Sequence, residues 1–149
     1  AKDGVAEVFY SLAGALRGEA SAEYTLLYSR VAYALRADHI DALLLNAELL
    51  EELGQYDLAI AAYKKVPADH TASHAAELGR AAALRRAGKP DAAIEVLEQL
   101  ARRFPDMSIV HSTLGDFLRG QDAYADAVMS YDKALNLTPE DARSRWFCF

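Results

Sequence analysis

Residues 114–139 read LGDFLRGQDAYADAVMSYDKALNLTP. Two apolar helical stripes are legible in them. Leu114, Gly115 and Leu118 mark the first, and Ala127, Tyr131 and Ala134 the second. Gly120-Gln121-Asp122 breaks the chain between them and Pro139 closes the unit. Stepping back by 34 residues recovers the same pattern twice. Ala127 aligns with Ala93 and Ala59, Val128 with Ile94 and Ile60, and Tyr131 with Leu97 and Tyr63. Leu118 aligns with Leu84 and Leu50, and Gly115 with Ala81 and Ala47. Tyr124, Pro90 and Tyr56 share one more position, and Pro139, Pro105 and Thr71 another. So many series in a single register are not a chance coincidence.

Each earlier unit has the same internal grammar. Leu43, Ala47 and Leu50 share a helix face at i, i+4 and i+7. Gly54 supplies a residue free to take the positive φ that ends a helix, and Pro67 stops the following stripe of Ala59, Ile60 and Tyr63. In the next unit Gly88 is the breaker and Pro90 opens a helix, where its missing N–H costs nothing. Small residues at Ala47/Ala59, Ala81/Ala93 and Gly115/Ala127 allow paired antiparallel helices to cross closely. Tyr63, Leu97 and Tyr131 are large enough to fill the space toward the next pair. A single such pair cannot bury its apolar face alone, so neighbours must stack.

The spacing and residue types resemble the tetratricopeptide repeat, whose signature runs Trp-x2-Leu-Gly-x2-Tyr, then Ala-x3-Phe, then Pro. The resemblance implies an all-α fold, a right-handed superhelical solenoid of antiparallel helix pairs, over a single domain spanning 1–149. Repeats are expected at about 40–73, 74–107 and 108–141, with a degenerate one at about 6–39 and residues 142–149 starting a truncated fifth. In the degenerate unit Phe9, Leu12, Ala13, Leu16 and Ala32 fit, but Thr25 and Ser29 stand where the family has alanine and a large aromatic. The second helix of that unit is therefore expected to be shifted or atypically packed. The chain reads as a segment of a longer, bacterial multi-repeat protein. Its apolar end, Trp146, Phe147 and Phe149, is expected to fold back, to pair with a second chain as a homodimer, or to stay disordered.

Composition narrows the function classes. Hydrophobic residues make up 52% and charged residues 26%, as in globular proteins. A net charge of -6 opposes phosphate and anionic lipid surfaces, so no nucleic acid partner and no membrane insertion are expected. The one cysteine, Cys148, excludes an internal disulfide and reads as a core residue of the next repeat rather than a nucleophile. No phosphate-binding glycine loop, zinc-protease motif or cysteine pair is present, so no catalytic residue and no cofactor are assigned, and the reading is of a non-enzyme. His70 and His74 have helical i, i+4 spacing, but Pro67 puts His70 in a loop and no third ligand is evident, so no metal is assigned. His39 and His111 read as surface or packing residues, and the sequon at Asn136-Leu137-Thr138 as fortuitous.

The expected role is a protein–protein interaction scaffold, with a peptide or partner protein in the concave groove that the resemblance places along the first helices. By register that groove takes Leu44, Glu48 and Glu52, then Leu78, Ala82, Arg85 and Arg86, then Ser112, Asp116 and Arg119. It would be acidic at one end and basic in the middle, with Arg85, Arg86 and Arg119 suited to a partner's carboxylates. The lysine and asparagine clamp with which some family members hold chaperone tails is excluded, because Leu44, Glu48, Gly79 and Ala82 occupy its positions. The competing reading is a structural spacer or self-association module within a larger protein. The sequence is compatible with either a cytoplasmic or a periplasmic location.

Overall fold

A computed structural model describes residues 2–138. The expectations placed on Pro139, Trp146, Phe147, Cys148 and Phe149 lie outside the described residues. Among those described there are eight α-helices and no strand: α1 Lys2–Leu16, α2 Ala22–Leu35, α3 Ile40–Glu52, α4 Tyr56–Tyr63, α5 Ser73–Arg86, α6 Pro90–Arg103, α7 Ser108–Arg119 and α8 Tyr124–Leu137. The fold is an all-α helical repeat. The chain divides between Ala87 and Gly88 into two compact units, a boundary that falls between the two helices of the segment read as the third repeat.

In the first unit each helix from α1 to α5 packs on the next. Ala47 and Ala59 are fully buried where α3 meets α4, as close helix crossing requires. Tyr63 is buried as well, and its ring lies on Gly79 of α5, filling the space toward the following pair. Lys65 and Val66 donate to Ala62 and Tyr63 in tight turns after α4, so that helix ends short of Pro67, which cannot follow an α-conformation residue easily. In the second unit α6 packs on α7 and α7 on α8, around Leu97, Leu100, Val110 and Phe117.

The second helices begin at Ala22, Tyr56, Pro90 and Tyr124, each one period after the last. The second helix of the degenerate unit is thus in register and not shifted. What differs is the loop before it: α1 ends at Leu16, and the chain uses Gly18, at φ 86°, to reach α2. Its buried face carries two polar side chains where the other second helices have alanine and a larger apolar or aromatic residue. Thr25 and Ser29 are both buried, and each finds a backbone carbonyl: Thr25 Oγ1 donates to Ser21 O at 3.1 Å and Ser29 Oγ to Ala42 O at 3.0 Å.

The helix breakers also obey the period. Gly54 (φ 72°) and Gly88 (φ 74°) are left-handed, as expected of C-terminal caps. In the last unit the left-handed residue is Asp122 (φ 60°), one period after Gly88, while Gly120 stays right-handed at φ -66°. The repeat geometry dictates the position, and aspartate is among the few side chains that tolerate it.

Candidate functional site

The first-helix residues singled out from the sequence fall into two groups, one in each unit. In the first unit Leu44 and Glu48 of α3 come together with Tyr10 of α1, Arg17 and Asp41 around a cavity of about 220 Å³. Beside it Glu48 and Glu52 join Arg17, Glu51 and Arg86 around a second cavity of about 230 Å³. Arg17 bridges both. Its Nη1 lies 2.7 Å from Glu48 Oε2 and its Nη2 3.3 Å from Glu52 Oε1. Arg86 Nη1 stands 3.4 Å from Glu51 Oε1, and the buried hydroxyl of Tyr63 donates to the other Glu51 oxygen at 3.4 Å.

These contacts revise the charge pattern. The acidic end carries its own cation, Arg17, and Arg86 is drawn to Glu51 instead of standing apart as a basic middle. Across the second cavity Glu48, Glu51 and Glu52 face Arg17 and Arg86, and Asp41 adds another carboxylate in the first. The remainder is negative. Burial, then Asp41, Glu48 and Glu7, raise the phenol of Tyr10 above its ordinary range, so the ring presents a neutral hydroxyl. Burial, with Glu51 and Glu48, pushes the Tyr63 phenol up more strongly.

Leu78 and Ala82 are half-buried on α5, outside both cavities, and Arg85 is exposed on its last turn. In the second unit Tyr131 of α8 donates to Asp116 Oδ1 at 2.7 Å, and Arg119 Nη2 is 3.6 Å from the same oxygen. Ser112 turns its hydroxyl to Ile109 O at 3.1 Å, so that hydroxyl serves its own helix. Sequence reasoning missed Tyr10, Arg17, Asp41 and Glu51. Arg17 was the hardest to find, since it follows α1 in a loop that departs from the period. Tyr10 and Asp41 carried a signal, a phenol and a carboxylate on first helices flanking Leu44.

Three of the four histidines make structural contacts. His39 caps α3: its Nδ1 accepts from Ala42 N at 3.4 Å, and its buried ring lies 4.8 Å from that of Tyr10. Buried His111 donates from Nε2 to Pro105 O at 2.8 Å, which fixes its tautomer. His70 Nδ1 accepts from Ala72 N at 3.1 Å within the turn before α5. Among the described residues no three metal-ligating side chains converge, and no helix is long and apolar enough to cross a membrane.

Comparison with known proteins agrees with the helix pattern. Two family models described as tetratricopeptide repeat match residues 41–73 and 78–142. Solved structures of MamA share the fold. A crystal structure of MamA is 18% identical with a TM-score of 0.77, covering 94% of this chain and 81% of that one. MamA 41-end from Desulfovibrio magneticus RS-1 is 21% identical with a TM-score of 0.75, covering 89% of this chain and 75% of that one. No curated protein matches the sequence. With its paired helices, its 34-residue step and matches that together take in most of its length, the chain belongs to the tetratricopeptide repeat family.

Proposed function

We propose that this protein is a protein-interaction scaffold that takes a peptide of its partner on the face of its first helices. The repeats at about 6–39, 40–73, 74–107 and 108–141 would form its single binding domain, with a fifth beginning at 142. The observation that carries the reading is the cavity where Tyr10, Leu44 and Leu45 stand beside Asp41 and Glu48. An aromatic ring and aliphatic side chains beside carboxylates suit the stem and head of a lysine or arginine: the stem packs, the ring faces the cation and the acids pair with it. Arg85, Arg86 and Arg119 would hold acidic residues of a partner, each within its own unit and each by giving up its present contact, Glu51 for Arg86 and Asp116 for Arg119. No catalytic role is proposed.

Fluorescence anisotropy with peptides carrying lysine, glutamate or neither tests this. Lysine peptides should bind best, Tyr10→Ala should weaken them, and Arg17→Ala should strengthen them by baring Glu48 and Glu52. Binding of no peptide, or binding indifferent to Tyr10→Ala, Arg17→Ala and the paired reversal of Arg85 and Arg86, would defeat the proposal.

The spacer or self-association reading draws on a different observation: Tyr124, Val128 and Met129 are exposed apolar side chains on α8. A chain that sediments as an oligomer and becomes monomeric with Met129→Glu would favour it.

A further inference from the structure

A gap between second helices occurs in each unit. In the first unit α2 and α4 leave a cavity of about 220 Å³, floored by Leu43, Asn46 and Leu50 of α3. In the second unit α6 and α8 leave one of about 420 Å³, floored by His111, Leu114 and Leu118 of α7. These floor residues occupy the same repeat positions, two periods apart. The walls correspond in the same way. Arg30 and Tyr33 of α2 match Glu98 and Ala101 of α6. Leu58, Ala61 and Lys65 match Asp126, Met129 and Lys133. The hollow is therefore a product of the repeat geometry, and only its side chains decide what it suits.

Those side chains differ sharply. No carboxylate lines the α2/α4 cavity, in a chain of net charge -6. Arg30 and Lys65 are exposed at its rim, and Lys65 Nζ lies 5.9 Å from the centroid of the Tyr33 ring. Leu58 is 53% exposed above a floor of buried Leu43 and Leu50. In that floor Asn46, only 5% exposed, donates from Nδ2 to Ser29 O at 3.4 Å, while its Oδ1 is buried with no hydrogen-bond partner. A buried amide oxygen left unpaired is costly, and an N–H donor would relieve it. The cavity in the second unit has Glu98 and Asp126 in place of Arg30 and Leu58, so its own cations, Arg102 and Lys133, stand among carboxylates instead of alone.

We propose that the α2/α4 cavity docks an acidic peptide segment of a partner, which inserts one large apolar side chain between flanking carboxylates. The apolar side chain packs on Leu43, Leu50 and Leu58, and the carboxylates meet Arg30 and Lys65. The complementarity is electrostatic and local, which selects partner and orientation more than it sets affinity. An anionic membrane is the weaker occupant, because the overall negative charge opposes a broad anionic surface and a hollow this size admits one side chain. This site is separate from the first-helix face, and neither reading depends on the other.

The test titrates the whole chain into a fluorescein-labelled peptide, Ser-Asp-Glu-Leu-Glu-Asp-Ser, and follows anisotropy. Saturable binding is expected, weakened about tenfold or more by Arg30→Glu with Lys65→Glu, and lost when the peptide leucine becomes serine. Lys133→Glu, at the equivalent position of the other cavity, should leave binding unchanged. Arg30, Lys65 and Lys133 are all exposed, and matching helical circular dichroism confirms that the variants fold. The proposal is overturned if binding does not saturate, if a peptide with Gln and Asn for its acids binds equally well, or if Lys133→Glu weakens binding as much. It is overturned too if phosphatidylserine vesicles bind through Arg30 and Lys65 when the peptide does not. Self-association that disappears with Arg30→Glu and Lys65→Glu would assign the cavity to a second copy and likewise reject the peptide.

Discussion

Gly79 of α5 lies so close to the Tyr63 ring of α4 that a Cβ added to the glycine would stand 2.5 Å from Tyr63 Cζ. The aromatic that closes one helix pair is thus seated on the bare backbone that opens the next. Gly115 meets Tyr131 in a similar way, at 2.7 Å from Cε1, but there the two residues belong to one pair. Tyr63 is 4% exposed and held by its surroundings, whereas Tyr131 is half-buried and its hydroxyl is tied to exposed Asp116, so its ring has more room to yield. Gly79→Ala is therefore expected to lower stability by about 1–2 kcal/mol, overpacking outweighing the gain in helix propensity of roughly 0.5–1 kcal/mol. Gly115→Ala should fall closer to neutral. Urea unfolding of both variants checks the order; a Gly79→Ala protein more stable than the parent would contradict it.

The α3/α4 crossing should be as intolerant of bulk. Ala47 and Ala59 have no exposed surface. Ala59→Leu is expected to cost on the order of 1–3 kcal/mol, seen as a lower Tm in calorimetry.

At the break before α8, Asp122 occupies the left-handed position that Gly54 and Gly88 fill in earlier repeats. Its carboxylate also accepts from Tyr124 OH at 2.6 Å. Asp122→Gly should hold or slightly raise Tm, since relief of the positive φ offsets the lost hydrogen bond. A β-branched residue has neither remedy, so Asp122→Val should destabilise by about 1–2 kcal/mol. Thermal melts of the two variants must separate in that direction.

Alkaline pH should weaken the fold through Tyr63. Burial raises its phenol above the ordinary value of 10.0, so the folded protein keeps a proton that the unfolded chain releases. Stability is then fully present below about pH 10 and falls as pH rises further, because the unfolded state binds fewer protons there. Tyr63→Phe should flatten that decline while leaving neutral-pH stability within about 1–2 kcal/mol, the scale of one lost hydrogen bond and its partner's exposure. Chemical denaturation at neutral and alkaline pH measures both.

Ser29 gives the last expectation. Its buried hydroxyl donates to Ala42 O, so Ser29→Ala should cost about 0.5–1.5 kcal/mol, and the aromatic that the family places there should cost more by overpacking.

Read alone, the sequence settled the family and the order of the elements, because both depend on periodicity: a small residue every 34 positions leaves paired helices one close way to cross, and Ala47, Ala59 and Tyr63 are buried as that step demands. It did not settle which residue holds a left-handed backbone, since the break was legible only as Gly120-Gln121-Asp122 and the geometry of the repeat placed the positive φ at Asp122. Nor did it settle the charge of the first-helix face. Glu48, Glu52 and Arg86 were found from register, but long flexible side chains choose partners by distance in space, and Arg17 reaches Glu48 from 31 positions away through a loop that keeps no period. Only the packed helices bring such residues together, and only there do the two second-helix cavities, built from the same repeat positions but with carboxylates in one alone, become visible.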